Sequence, residues 1–246
     1  MNGVQSILAE HRQVWAAKPA LRLLYQDWYR RMLSHLAASN KPILELGGGS
    51  GNLKEFRPEV ISTDIAWCEW LDAVFDAHHA PFRDSCIGNI VMFDVLHHLA
   101  APRLFFKEAA RMLEPGGRII MLEPYISPIS WIVYSLFHQE EVRCDVHPLE
   151  SVGAEGLRKD PFEGNGAIPS LIFWKHREEM AKIFPQLQVV VEDRLSFWAY
   201  PLSGGFKSWS LLPSSLALPL TRLEEKCERL GSLLAFRCLV VLEKRH

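Results

Sequence analysis

The sequence lacks an excess of charge of either sign. Among its 246 residues, 27 lysines and arginines stand against 29 aspartates and glutamates, for a formal net charge of −2. Without a basic excess, we do not expect nucleic acid as a partner. The longest apolar stretches, residues 126–137 and 232–242, fall short of the about 20 residues that a membrane-spanning helix needs. We therefore predict no transmembrane segment.

Cysteine is scarce and scattered. The five cysteines include no C-x-x-C pair, which argues against a disulfide framework or a cysteine-based zinc site. No carboxylate–histidine set has the sequence spacing of metal ligands, so we predict no metal site. The first residues lack the basic region and apolar core of a secretory signal peptide. These features together predict free thiols and a cytoplasmic location.

What the chain does have is a glycine-rich turn after a short apolar run. Residues 43–46 predict a buried strand, and residues 45–51 continue as ELGGGSG. Glycine permits a positive φ and lets a ligand approach the backbone closely. Turns of this kind, between a strand and a helix, usually hold a nucleotide-like ligand at the carboxyl edge of a parallel sheet. The alternative at this point is a turn that only packs.

The turn departs from two phosphate-binding motifs. It lacks the G-K-[ST] of a P-loop, and Leu53 stands where G-x-G-x-x-G has its third glycine. These departures disfavour a nucleotide-sugar or nicotinamide enzyme of Rossmann type.

Further strands follow at short intervals. Residues 60–64 predict a second strand ending at Asp64, about 15–20 residues after the glycines, where an acid can accept both ribose hydroxyls. Residues 72–77 predict a third strand, 89–94 a fourth and 118–123 a fifth, with a helix over 105–113.

With these elements in place, the chain resembles the class I S-adenosylmethionine-dependent methyltransferases, in particular their small-molecule, type 11-like branch. The motifs that carry the resemblance are ELGGGSG, STD, DAHHAPF, IVMFDVLHHL and RMLEPGGRIIMLEP, in the family's order over residues 43–124. The resemblance implies an α/β, Rossmann-like three-layer sandwich. Its seven-stranded sheet would be mostly parallel, with an antiparallel last strand, N-terminal helices and insertions after strands five and six.

The resemblance also implies a single domain over residues 1–246. Within it, residues 1–40 would form a helical flap and residues 41–123 the cofactor-binding half. Residues 124–170 and 198–231 would be insertions that cap the substrate. The second insertion has three open interpretations: a wall of an apolar pocket, a dimer contact, or a surface that rests on a membrane.

The resemblance implies which residues contact the cofactor, S-adenosylmethionine. They are Glu45, Gly47, Gly48, Gly49, Asp64, Ile65, Asp76, Ala77 and Phe93. In this assignment Asp64 accepts the ribose hydroxyls, Asp76 and Ala77 flank the adenine ring, and Glu45 suits the positive charge of the cofactor. From the residues alone, Asp64 has the alternative role of a helix N-cap.

Two histidines, His97 and His98, follow the fourth strand at the edge where the methyl group would point. His98 is our candidate general base, which is needed only if the nucleophile must lose a proton. A packed or capping histidine is the alternative. Tyr125, His138 and Glu141 are candidate substrate contacts, and a solvated surface run is the alternative for the last two.

The sequence therefore predicts a methyltransferase acting on a small, partly apolar acceptor, with O-methylation as the default and nitrogen or carbon open. The alternative is a non-catalytic scaffold or partner-binding subunit of the same fold. The oligomeric state is not predicted.

Several local features are also predicted. Asn52 should begin the first helix after the glycines. The crossing over residues 65–70 is too short for a full helix, so Trp67 and Trp70 should cover the sheet there. A helix over 221–230 should begin with a capping box of Thr221 and Glu224, and the last strand should span 233–242.

Overall fold

The computed structural model describes residues 3–137, 141–151 and 163–245. In this part of the chain, seven strands form one sheet in the order β3-β2-β1-β4-β5-β7-β6. The strands are β1 (Ile43–Leu46), β2 (Ile61–Asp64), β3 (Ala73–Val74), β4 (Ile87–Phe93), β5 (Leu113–Pro124), β6 (Leu187–Leu195) and β7 (Arg237–Lys244). Adjacent strands in the series β3-β2-β1-β4-β5 pair in parallel, and β7 runs antiparallel to both β5 and β6. The predicted fold class is confirmed.

Helices precede the sheet and lie in the connections that follow β4, β5 and β6. They are α1 (Gly3–Ala17), α2 (Pro19–Ser34), α3 (Pro102–Met112), α4 (Pro128–Phe137), α5 (Ile168–Ser170), α6 (Arg177–Ile183), α7 (Ala199–Ser203), α8 (Ser214–Lys226) and α9 (Gly231–Leu234). Shorter pieces are the 3-10 turns Asn52–Glu55, Leu96–His98 and Glu228–Leu230 and the π-helical Leu171–Lys175. Among the described helices, none is both long and apolar enough to span a bilayer.

Apolar side chains cover both faces of the sheet. Along β5, Ile119 and Met121 belong to one core, together with Phe105 of α3. Because successive strand residues point to opposite faces, Ile120 lies in a second core with Leu24 of α2. Parallel sheets require this two-sided burial, since their connections place helices on both faces.

The connection from β2 to β3 is as short as predicted, and no helix is formed over its described residues 65–72. Trp70 covers the glycine turn rather than the sheet, because its Nε1 donates a hydrogen bond to the carbonyl oxygen of Gly49 at 2.8 Å. The prediction for Trp67 is wrong, since its side chain is 63% exposed.

The predicted helix at Asn52 is only the 3-10 turn Asn52–Glu55. So short a helix has few aligned peptide dipoles, and its positive end contributes little to the site. The backbone amides of the glycine turn itself are therefore the groups that a ligand meets.

Two predictions near the C-terminal end are also wrong. Helix α8 begins at Ser214, so Thr221 lies inside it and forms no capping box. Glu224 has a different role: its Oε1 accepts the backbone N–H groups of Trp198 and Ala199, both at 2.6 Å, where α7 begins. The last strand begins later than predicted, because residues 231–234 form α9.

Candidate functional site

The glycine turn lies at the carboxyl edge of the sheet, between β1 and β2. The N–H of Gly48 donates to the carbonyl oxygen of Thr63 at 2.8 Å, which continues the pairing of the two strands. Gly47 and Gly49 have φ of +70° and +48°, a region that favours glycine. At Gly48, an added Cβ would overlap the hydroxyl of Ser62. The turn therefore requires glycine for conformation at two positions and for space at the third.

Asp64, the last residue of β2, is joined directly to this turn. Its Oδ2 accepts the N–H of Gly49 at 2.9 Å, and its Oδ1 accepts the N–H of Ala66 at 3.0 Å. A carboxylate has about four lone-pair positions, so both oxygens can still accept a ligand hydroxyl. A Cβ on Gly49 would have its nearest neighbours 3.8 Å away, which shows room beside the turn. The pair thus fits a ribose between a carboxylate and a glycine backbone.

Helix α1 lies over the turn. Leu8 approaches to 3.8 Å of the position that a Cβ on Gly49 would take, and Arg12 stacks 4.3 Å from the ring centre of Trp70. Trp15 donates its Nε1 proton to Glu55 at 3.0 Å. The helix is therefore held on the rim of the site by contacts along its length.

Glu45 is buried beneath the turn, with 4% of its surface exposed. The hydroxyl of Ser62 donates to its Oε2. Burial, the largest cause, raises the pKa of Glu45 to about 7, although the Ser62 hydrogen bond acts in the opposite direction. The carboxyl group therefore changes its protonation near neutral pH, and a nearby positive charge would favour its ionised form.

Asp76 follows β3 and is held by His78. The backbone N–H of His78 donates to Asp76 Oδ1 at 2.9 Å, and Nδ1 of the same residue lies 2.6 Å from that oxygen. The N–H of Ala101 donates to His78 Nε2 at 3.2 Å, so the proton of the neutral ring is on Nδ1. Both contacts use Oδ1, and the Asp76 side chain stays 38% exposed, so a ligand can reach the carboxylate.

A carboxylate that sequence reasoning missed, Glu123, organises the turn after β4. It is the penultimate residue of β5, is 1% exposed, and its Oε1 accepts the N–H groups of Val95 and Leu96 at 2.9 and 2.7 Å. Its Oε2 lies 2.7 Å from Nδ1 of His97. The available signal was an acid at the end of a buried strand, the same signal that identified Asp64.

The two histidines have different environments. His97 is buried and tied to Glu123, whereas His98 is half-buried with its ring centre 4.1 Å from that of His97. Gly164 lies against both rings, and a Cβ there would stand 3.0 Å from His98 Cε1. His97 is thus a positioned core residue, and His98 is the less buried member of the pair.

Phe93 belongs to an aromatic cluster at the end of β4. Its ring stacks on Tyr25 with centres 4.7 Å apart. Next to it, Arg237 makes two bonds to Asp94, Nη1 to Oδ1 at 2.7 Å and Nη2 to Oδ2 at 2.8 Å. The buried guanidinium also lies 4.6 Å from the ring centre of Trp28. This ion pair fastens the end of β4 to β7, and sequence analysis offered no signal for it.

The three predicted substrate contacts have different outcomes. Tyr125 is buried directly after β5, with its ring centre 4.8 Å from that of Trp174 and 5.2 Å from the Arg194 guanidinium. The side chain of Glu141 is 71% exposed, with its carboxylate 3.9 Å from Arg143, so it is a surface group. His138 lies outside the described residues.

Two groups of histidines and carboxylates come together in space, although their sequence spacing did not reveal them: Asp94 with His97 and Glu123, and His147 with His176 and Glu179. In the first group the oxygens already accept bonds from Arg237, from two backbone amides and from His97. That group is accounted for by these contacts.

Comparisons with known proteins agree with this fold. A family model described as a methyltransferase domain matches residues 16–148, more than half of the chain. No curated protein sequence matches. An S-adenosylmethionine-dependent methyltransferase from Archaeoglobus fulgidus is similar in structure, with a TM-score of 0.55 and 14% identity over 91% of this chain and 94% of that one. Geranyl diphosphate C-methyltransferase from Streptomyces coelicolor A3(2) is also similar in structure. Its TM-score is 0.50, with 14% identity over 96% of this chain and 84% of that one.

At these identities the solved structures establish the shared fold, and the family match establishes the family. The chain therefore belongs to the methyltransferase-domain family.

Proposed function

We propose that S-adenosylmethionine binds across the carboxyl ends of β1, β2 and β3, within one domain formed by the whole chain. Gly47, Gly48 and Gly49 would lie under the cofactor, and Asp64 would accept the ribose hydroxyls. The observation that carries the proposal is the 2.9 Å hydrogen bond from the N–H of Gly49 to Asp64 Oδ2. It brings the ribose acceptor and the glycine backbone to one place.

The remaining cofactor contacts have supporting observations of their own. Ile65 follows Asp64 and is 52% exposed, so it offers an apolar surface to the adenine ring. Asp76 Oδ2, beside Ala77, suits the exocyclic amine. Glu45 and Phe93 would line the inner end of the site, where a carboxyl group with a pKa of about 7 would ionise beside a positively charged ligand.

The bound cofactor supplies a methyl group activated by a positively charged sulfur. The residues of the chain have to position the acceptor in line with that group and exclude water. A base is required only when the acceptor atom carries a proton. We propose His98 for this role, because its ring is held against His97, which Glu123 orients.

The acceptor we propose is a small molecule with apolar character, and oxygen is the default atom. The support is the apolar surface after β5, where α4 exposes Trp131, Ile132 and Leu136 by 50, 47 and 69%. Tyr125 lies at the base of this insertion. Carbon stays among the candidate atoms, since a neighbour of the same fold methylates geranyl diphosphate at carbon.

A transfer assay with labelled S-adenosylmethionine and a panel of small hydroxyl-bearing acceptors tests the proposal. His98→Gln should lower kcat by about 10²–10⁴-fold for an acceptor that loses a proton, without weakening cofactor binding. His79→Gln, at an exposed histidine, is the matched control and should leave kcat unchanged. An unchanged kcat in His98→Gln would refute the proposal that His98 is the base. Transfer only to a nucleic acid would refute the proposal of a small-molecule acceptor.

A further inference from the structure

A second cluster of metal-ligating side chains lies outside the proposed cofactor site. His147 comes from the described segment 141–151, His176 directly precedes α6, and Glu179 lies in the first turn of that helix. Nε2 of His147 is 3.1 Å from Glu179 Oε2, and Nδ1 of His176 is 3.4 Å from the same oxygen. All three ligand atoms lie within 4.8 Å of one another.

These distances match the separations between neighbouring ligand atoms in a tetrahedral zinc site. Zinc bonds to imidazole nitrogen at about 2.0–2.1 Å and to carboxylate oxygen at about 2.0–2.2 Å, which places tetrahedral ligands about 3.3 Å apart. The two separations from Glu179 Oε2 agree with that value within about 0.2 Å. The ligand nitrogens of His147 and His176 lie within 4.8 Å of each other, and the centres of the two rings are 4.2 Å apart.

The environment of each side chain suits the entry of an ion. The side chains are partly exposed, by 33% for His147, 18% for His176 and 40% for Glu179, so the cluster can be reached from solvent. Nδ1 of His147 is buried and makes no hydrogen bond among the described residues, so Nε2 is the nitrogen it presents to the cluster. His176 and Glu179 are three residues apart at one end of a helix and point in the same direction.

The donor set favours a first-row transition metal over magnesium or calcium. Two imidazoles and one carboxylate form a common zinc site, and with three protein ligands the fourth position holds water. Magnesium and calcium prefer sites made of oxygen. Among first-row ions, zinc binds such nitrogen and oxygen donors more tightly than iron(II). We propose that His147, His176 and Glu179 form a zinc site with one open position.

The site would join segment 141–151, which lies in the insertion predicted to cap the substrate, to α6, which lies outside that insertion. At its beginning, segment 141–151 is tied to Asn165, whose side chain exchanges two 2.9 Å hydrogen bonds with the backbone of Arg143. The backbone N–H of Asn165 donates to the carbonyl oxygen of His97 at 3.0 Å. Zinc at His147 would fasten the other end of the segment to α6. The ion would therefore fix the chain that runs beside the His97–His98 pair.

The test uses the full chain without a histidine tag, freed of metal by a chelator. Zinc is titrated by calorimetry, and cobalt(II) is used as a spectroscopic substitute that reports tetrahedral nitrogen and oxygen coordination. We expect one ion per chain. His176→Ala and Glu179→Gln should each weaken binding by at least about tenfold. Glu179→Gln keeps the size of the side chain, so its loss of binding would not be attributable to lost packing.

Two control variants separate this site from adventitious binding. Cys144 is exposed and His79 is a distant exposed histidine, so Cys144→Ser and His79→Ala should bind zinc as the parent chain does. Far-ultraviolet circular dichroism of each metal-free variant checks that it is folded. The absence of a bound ion in the parent chain would overturn the proposal. Binding that survives both His176→Ala and Glu179→Gln, or is lost in Cys144→Ser, would do the same.

Discussion

Glu45 should make the stability of the fold depend on pH through a single buried carboxyl group. Its pKa is raised from the ordinary value of 4.5 to about 7. Because the folded chain holds this proton more tightly than the unfolded chain, the group stabilises the fold fully below pH 4.5. That contribution is lost as the pH rises towards about 7. The difference corresponds to about 3 kcal/mol, at about 1.4 kcal/mol for each tenfold change in proton affinity.

Glu45→Gln removes this dependence. Glutamine resembles the protonated acid and can still accept the Ser62 hydroxyl, so the variant should equal the parent chain at about pH 4. At about pH 8 it should be more stable by up to about 3 kcal/mol. Urea unfolding at a series of pH values measures the difference, and Glu59→Gln, at a 57% exposed side chain, is the control. Equal pH dependence in Glu45→Gln and the parent chain would refute the assignment of a raised pKa.

The other predictions concern the ion pair after β4 and the space at the glycine turn. Asp94→Asn leaves the buried Arg237 without its counter-charge and should lower the free energy of unfolding in urea by about 3 kcal/mol; a change below about 0.5 kcal/mol would contradict a structural ion pair. Gly48→Ala forces the turn away from Ser62 and should weaken S-adenosylmethionine binding at least about tenfold by calorimetry. Gly166→Ala, where a Cβ has 3.8 Å of room, should leave the affinity unchanged.

The parts of the fold that depend on local pattern could be predicted from the sequence. An apolar run predicts the strand at residues 43–46, and the glycines that follow, which permit positive φ, predict the turn up to residue 51. Asp64 was identified in the same way, as an acid that closes a short strand. The structure brings Asp64 to hydrogen-bonding distance of Gly49. Its role towards a cofactor stays a prediction.

The parts that depend on distant contacts could not be predicted. Arg237 pairs with Asp94 across most of the chain, and nothing near either residue indicates the other. The glutamate in T-x-x-E has the same appearance whether it caps its own helix or another one, and Glu224 caps α7. Trp67 and Trp70 were equivalent in sequence, and only the position of the glycine turn separated them.

The sequence indicates more residues for the proposed cofactor site than for the proposed acceptor side. The residues of the proposed cofactor site follow successive strands. The carboxyl ends of parallel strands meet at one edge of the sheet, whatever the length or structure of the connections between the strands. No such rule applies to residues 124–170, the insertion that is predicted to cap the substrate. Glu141 therefore proved to be a surface group, while Trp174 and Arg194 pack beside Tyr125 without any signal in the sequence.

The most direct test of the account is calorimetric titration of S-adenosylmethionine and its demethylated product, for the parent chain and Asp64→Ala. Micromolar binding by the parent chain corresponds to about −8 kcal/mol. Loss of a charge-assisted ribose contact costs about 1.5–3 kcal/mol, so Asp64→Ala should bind about 10- to 150-fold more weakly. Asp84→Ala, at a 77% exposed side chain, should bind as the parent does. Equal affinity in Asp64→Ala and the parent chain, or no binding of either ligand by the folded parent, would contradict the proposed cofactor site.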